Sequence, residues 1–297
     1  RARRIRGGVH LIIPRSAVLD ADPRTIPVAV SSEFQFFGGI DFSGAKEPLN
    51  NLWSAVGVEE GGKLRILSVR PHAFRADLSA YVRGGWREVV GAPSGRILWG
   101  ADFPFGLPEP VSQAIGAGTD WTSVLSWVAD RPADEVRGAA GDSVRSLRGT
   151  DTGGALSPLD LRLYKQTVEG LRWLHELTER GDVSVRPQAP VEGAETTLIE
   201  VYPSSTVQEL GLPRRRTPSH RGEFRARAAA LRTFMTFSST DAEALVVNLE
   251  DAWDAAVACL TAFLCRDDLD QPFRTGRFGR PIVELEGWIY RPPATLT

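Results

Sequence analysis

The sequence predicts an α/β fold: one mixed sheet flanked by helices, with a helical insertion at about 109–190. Two observations carry that prediction. Segments of strand and helix character follow one another as three strands, helix, strand, helices, strand, helices, an order that layers a sheet between helices. No linker, repeat or low-complexity tract divides the 297 residues. Residues 35–297 therefore read as one domain, preceded by a disordered extension at 1–34.

The first strand is "QFFGGID" (35–41), apolar up to its final acid. "LWSAVGVEEGGKLRILSV" (52–69) reads as two strands joined at "EEGG", a hairpin with a Gly-containing loop. A strand followed so closely by a hairpin gives three adjacent strands. "AFRADLSAYVRGGWREVV" (73–90) carries Phe74, Leu78 and Val82 at spacing four, a helix interrupted near Gly84-Gly85. "GRILWGADFPFGLP" (95–108) returns to a buried strand that ends at Asp102 and is stopped by Phe103-Pro104. "TDWTSVLSWVAD" is helical, while "GAAGDSVRSLRGTDTGGA" (138–155) reads as loop and carries no legible motif. Ser157 as N-cap, with Pro158 at the first helical position, starts a helix. It turns Leu159, Leu163, Leu171, Leu174 and Leu177 toward a core and ends near Gly181. "TTLIEVYPSS" (196–205) is a strand with Glu200 where the buried run gives way to Pro203. "NLEDAWDAAVACLTAFLC" (248–265) is a helix with Asn248 as N-cap, and "PIVELEGWIYRP" closes the chain as a short strand or lid.

Composition narrows the classes. Hydrophobic residues at 42% and charged residues at 24% describe an ordinary globular protein with a sizeable core. A net charge of −2 excludes a global basic field, so nucleic-acid contact has to come from a local patch. Cys259 and Cys265, six apart in a helical pattern, point to different faces and read as core residues in a reducing compartment. No apolar run nears the roughly 18 residues of a membrane span. The opening "RARRIRGGVHLIIPRSAVL" is basic and then briefly apolar, but Pro14 and Arg15 cut it too short for a signal peptide. The expected location is the cytoplasm.

Three strand-like runs end on an acid beside a chain reversal: Asp41, Asp102 and Glu200. A further cluster, Glu250, Asp251 and Asp254, opens a helix, where the dipole favours ionised carboxylates. Converging acids cannot all ionise unless a cation neutralises them, and an oxygen-only pocket suits Mg²⁺ or Mn²⁺. Asp41, Asp102, Glu200 and Asp254 are thus the candidate catalytic acids and, with Asp251, the candidate metal ligands. Each also has a structural reading: Asp41 could cap a turn with Ser43 and Gly44, and Asp251, three after Asn248, could complete a capping box.

The ordered set "GIDFSGAK", "GADFPFGLP", "IEVYPSS", "EDAWDAAVACLTAFL" and "EGWIY" resembles the DUF429 family over about 37–291. Members of that family are described as predicted nucleases of the ribonuclease H-like fold. The resemblance implies a mixed five-stranded sheet of order 3-2-1-4-5, strands one to three antiparallel and the last two parallel to strand one. It assigns Asp41 to strand one, Asp102 to strand four, Glu200 to strand five, and Asp254 with Asp251 to the final helix.

Lysine occurs only at Lys46, Lys63 and Lys165, and the other 32 of 35 basic residues are Arg, as a GC-rich genome gives. Lys46 and Lys165 are candidate phosphate contacts. "PRRRTPSHRGEFRARAAALR" (213–232) is a basic patch in which Arg214, Arg215 and Arg216 could hold a polyanion such as DNA or RNA. Phe224 is its single Phe, Trp or Tyr, which does not make a stacking platform for successive bases. The leading expectation is a metal-dependent phosphodiester hydrolase. "GIDFSG" also resembles the first phosphate loop of actin-like ATPases and sugar kinases, though "GADFPFG" makes a poor second loop. A non-catalytic binding protein on the same fold is the third reading.

Overall fold

Eight segments with the β-branched and aromatic content of strands pair into one sheet. In the computed structural model, which describes residues 33–45, 51–151, 154–213, 221–274 and 276–293, these are β1 (Phe36–Asp41), β2 (Trp53–Glu60), β3 (Lys63–Pro71), β4 (Ile97–Asp102), β5 (Val183–Arg186), β6 (Thr196–Val201), β7 (Met235–Phe237) and β8 (Ile289–Tyr290). The order is β5-β6-β4-β1-β2-β3-β7, with β8 also on β6. Only β2 runs antiparallel to its neighbours, β1 and β3; the remaining pairs are parallel. The sequence reading counted five strands. The other three are short edge strands, and one of them, β8, falls in the closing segment expected to be a short strand or lid: β5 pairs along 196–199 of β6, β8 along 200–201, and β7 borders β3. Gly61 and Gly62, at φ of 61° and 78°, make the two-residue β2–β3 turn that the hairpin requires.

The helices fill the gaps between strands. Helices α1 (Arg75–Ala80) and α2 (Trp86–Val90) are separated by a π-turn at 81–85 with its break at Gly84, where the Gly pair placed it. The insertion holds α3 (Glu109–Ala114), α4 (Trp121–Ala129), α5 (Ala133–Ala139) and α6 (Tyr164–Thr178). Helix α6 starts at Tyr164 and not at Ser157. The Ser157 hydroxyl donates instead to Val144 O at 2.8 Å, and its carbonyl accepts from Asp160 in a separate turn. After β6 come α7 (Pro203–Glu209), α8 (Arg221–Phe234), α9 (Thr240–Asn248), α10 (Glu250–Cys265), α11 (Gln271–Arg274) and α12 (Arg280–Glu286). Asn248 is the last residue of α9, its side-chain amide on Ala244 O, and Leu249 is the N-cap of α10. The closing segment is thus a helix, α12, that leads into β8. Among the described residues no helix is long and apolar enough to cross a membrane.

Side chains alternate across the sheet and build two cores. On one face Ile40, Trp99, Ala101 and Leu198 pack with Leu171 and Leu174 of α6. On the other, Phe37, Leu98, Ile199 and Val201 meet Trp253, Val257 and Leu260 of α10. Phe34, which the sequence reading left in the extension, is buried in this second core. Helix α10 lies directly on strand backbone, because the register partners Gly39 and Gly100 leave no side chain beneath it. A Cβ on Gly39 would stand 2.0 Å from Ala255 O, and one on Gly100 would stand 2.6 Å from Ala258 O.

Candidate metal centre

The same alternation places two acids. Asp41 lies two residues beyond Gly39 and Asp102 two beyond Gly100, so both share the α10 face, and they are register partners at the ends of parallel β1 and β4. Near the N-terminus of α10, Asp254 comes down beside them, one residue before the Ala255 that sits on Gly39. One carboxylate oxygen from each of Asp41, Asp102 and Asp254 lies within 4.8 Å of the other two. Asp41 and Asp254 are buried, and Asp102 is partly exposed, so access is from the Asp102 side. The centre sits outside the carboxyl ends of parallel strands, the usual ligand position in α/β sheets. Three carboxylates at this range form an oxygen-only donor set matched to a hard divalent cation.

The small residues after Asp41 have a packing reason. Helix α6 begins against that loop: a Cβ on Gly44 would stand 2.2 Å from Gln166 N. Gln166 in turn donates from Nε2 to Asp102 O at 2.6 Å, tying α6 to the end of β4.

Glu200 does not join the three acids. It is the register partner of Ala101, one residue short of Asp102, and therefore points to the opposite face of the sheet. There it is buried against Arg148, whose guanidinium donates to Glu200 Oε2 at 2.7 Å and Oε1 at 2.5 Å. Arg148 also donates to Asp151 Oδ1 at 2.8 Å and Glu286 O at 2.8 Å, while Phe105 N donates to Glu200 at 2.9 Å. Burial pushes the Glu200 carboxyl up, and Arg148 draws it back. Burial works against the Arg148 charge too, but Glu200 and Asp151 outweigh it and hold the guanidinium ionised. Gly287, at φ 84°, covers the pair; a Cβ there would stand 3.0 Å from Glu200 Oε2. The Glu286 carboxylate accepts from Glu109 N at 2.8 Å and Gly149 N at 2.6 Å, pinning the insertion loop. Sequence gives no signal for Arg148 and Asp151, charged residues in a polar loop without periodicity, nor for Glu286, one of two acids near the end of a short helix.

The remaining candidates scatter. Asp251 is partly exposed in the first turn of α10, outside the group of three, and with Asn248 in α9 the expected capping box does not form. Lys165 is exposed, its ammonium 5.8 Å from the centre of the Tyr164 ring. Lys46, Arg214, Arg215 and Arg216 lie outside the described residues. From the same basic stretch, however, Arg227 on α8 is buried, its guanidinium carbon 3.8 Å from the centre of the Trp253 ring. Burial lowers its pKa, while Asp254 and then Glu250 oppose that shift, so a cation already stands beside the third acid.

Fold and site together define an α/β protein with a carboxylate centre at the ends of two parallel strands. The family described as "Protein of unknown function (DUF429)" matches residues 39–273, and the chain belongs to it. That span includes Asp41, Asp102, Glu200 and Asp254 and stops short of Glu286. No curated protein and no solved structure matches the chain.

Proposed function

We propose that this protein is a metal-dependent phosphodiester hydrolase, a nuclease that holds Mg²⁺ or Mn²⁺ on Asp41, Asp102 and Asp254. The convergence of those three carboxylates within 4.8 Å carries the proposal. Asp41, Asp102 and Asp254 would hold a divalent ion, which when bound would supply Lewis acidity for a water nucleophile and charge stabilisation for the departing oxygen. The chain's own residues do the rest. Asp41 and Asp254, both buried, fix the cation against the sheet, and the partly exposed Asp102 faces the incoming phosphate. Arg227 helps to balance the charge of Asp254. The path β3-β2-β1-β4-β6 within the sheet supports the ribonuclease H-like reading. The Arg-rich sequence of 213–232 favours a polyanion, DNA or RNA, as substrate. The phosphotransferase reading needs an open phosphate loop after Asp41, and α6 packs on Gly44 instead.

The test is titration calorimetry with Mg²⁺ and Mn²⁺ on the wild type, Asp41→Asn and Asp254→Asn, followed by cleavage assays on single- and double-stranded DNA and RNA. Wild type should bind metal and cut at least one substrate, and both variants should do neither. Metal binding that persists unchanged in both variants would remove these acids from the centre.

A further inference from the structure

Next to the three acids lies a cavity of about 230 Å³ that the hydrolytic chemistry leaves unused. Asp102 forms part of its wall, so the cavity adjoins the metal centre. The lining is mixed: Phe103 and Leu156 are apolar, and Gln166, Tyr202 and Ser204 carry polar atoms. Its other charged groups, Glu200 and Arg148, are bound to each other and so do not call for a charged guest. Pockets for drug-sized ligands measure roughly 300–1,000 Å³. This space is smaller, and it suits one uncharged ring system with hydrogen-bonding edges. Gln166 spends Nε2 on Asp102 O and keeps an acceptor oxygen, while the Tyr202 and Ser204 hydroxyls can donate or accept. That is the equipment that reads a base taken out of its stack.

Building on the phosphodiesterase reading, we infer that the cavity receives the nucleobase of one unstacked nucleotide whose phosphate lies at the Asp41–Asp102–Asp254 centre. The substrate class is then single-stranded nucleic acid or an extruded nucleotide, and not an intact duplex. A nucleotide within a duplex keeps its base paired and stacked, so its ring is not free to enter a cavity beside the sheet ends.

The experiment uses the whole chain. Mn²⁺ affinity is measured first, and AMP, CMP and ribose 5-phosphate are then titrated with Mn²⁺ present. The nucleotides should bind at least ten-fold tighter than the base-free sugar phosphate. Leu156→Trp and Ser204→Tyr, from two separate segments, should each cut nucleotide affinity at least ten-fold and leave Mn²⁺ affinity intact. Normal Mn²⁺ binding with ribose 5-phosphate as tight as the nucleotides would overturn the inference alone. So would wild-type nucleotide affinity in both variants. Absence of Mn²⁺ binding would overturn the phosphodiesterase reading and this inference with it.

Discussion

Asp41 and Glu200 are both buried acids near strand ends, yet neutralising them should have opposite results. Asp41→Asn relieves repulsion from Asp102 and Asp254, so urea unfolding should show equal or greater stability while calorimetry shows metal binding lost. Glu200→Gln strips Arg148 of its bidentate partner in a buried place and should cost about 3–5 kcal/mol, with metal affinity kept in the folded fraction. The reverse ranking would exchange their roles. Arg227→Gln removes the cation beside Asp254 and should tighten metal binding by about ten-fold or more, because like-charge repulsion of the bound cation is relieved. Weaker binding in that variant would show that Arg227 shapes the site rather than opposing its occupant. Asp41, Asp102 and Asp254 were legible because each interrupts an apolar run that had to be buried. Glu200 met the same criterion, and only strand register reveals that it faces the other way.

Helix α10 depends on two bare strand positions. Gly39→Ala would drive a methyl into Ala255 O, which is backbone and cannot rotate aside. The expected cost is about 3 kcal/mol, with metal affinity falling because Asp254 moves with the helix. Gly138→Ala is the contrast: its Cβ, inside α5, meets nothing within 4 Å, and it should stabilise by about 0.5–1 kcal/mol. Thermal melts of the two variants, with and without Mn²⁺, check both expectations. Little effect from Gly39→Ala would mean that α10 can ride higher without loss. The body of α10 was plain from its alanine-rich pattern, but its start was not. Asn248 looks like a cap in sequence, and tertiary packing carries α9 through it to Leu249.

Across the whole molecule, acid sensitivity should trace to His72, on the far side of β2. Its Nε2 lies 2.7 Å from the Ser54 hydroxyl in a buried place. Burial, then Arg70, lowers its pKa from the usual 6.5 to about 4. Between those values the unfolded chain binds a proton that the native protein refuses. Stability is therefore full above pH 6.5 and falls as pH drops toward 4, by up to about 3 kcal/mol. Urea midpoints at pH 7.5, 5.5 and 4.5 should show that slope in wild type and a flatter one in His72→Gln; equal slopes would shift the cause elsewhere. Metal should act in the opposite sense, raising the melting temperature of the native state that binds it, an effect that Asp41→Asn should abolish. At this scale the mixed sheet was readable from element order, because each long strand buries a recognisable run. Strands β5 and β7 were not, since three or four residues are too few to display alternation.

The position of α10 late in the chain also has a meaning in time. The ribosome delivers Asp41 and Asp102 early and Asp254 only after the whole insertion and α7 to α9 have emerged. At roughly 5–20 residues per second, about ten seconds or more separate the second acid from the third. Through that interval the growing chain holds an incomplete ligand set on an uncovered sheet face. On the proposed nuclease function, this order of delivery would keep the unfinished protein inactive toward the message from which it is being read.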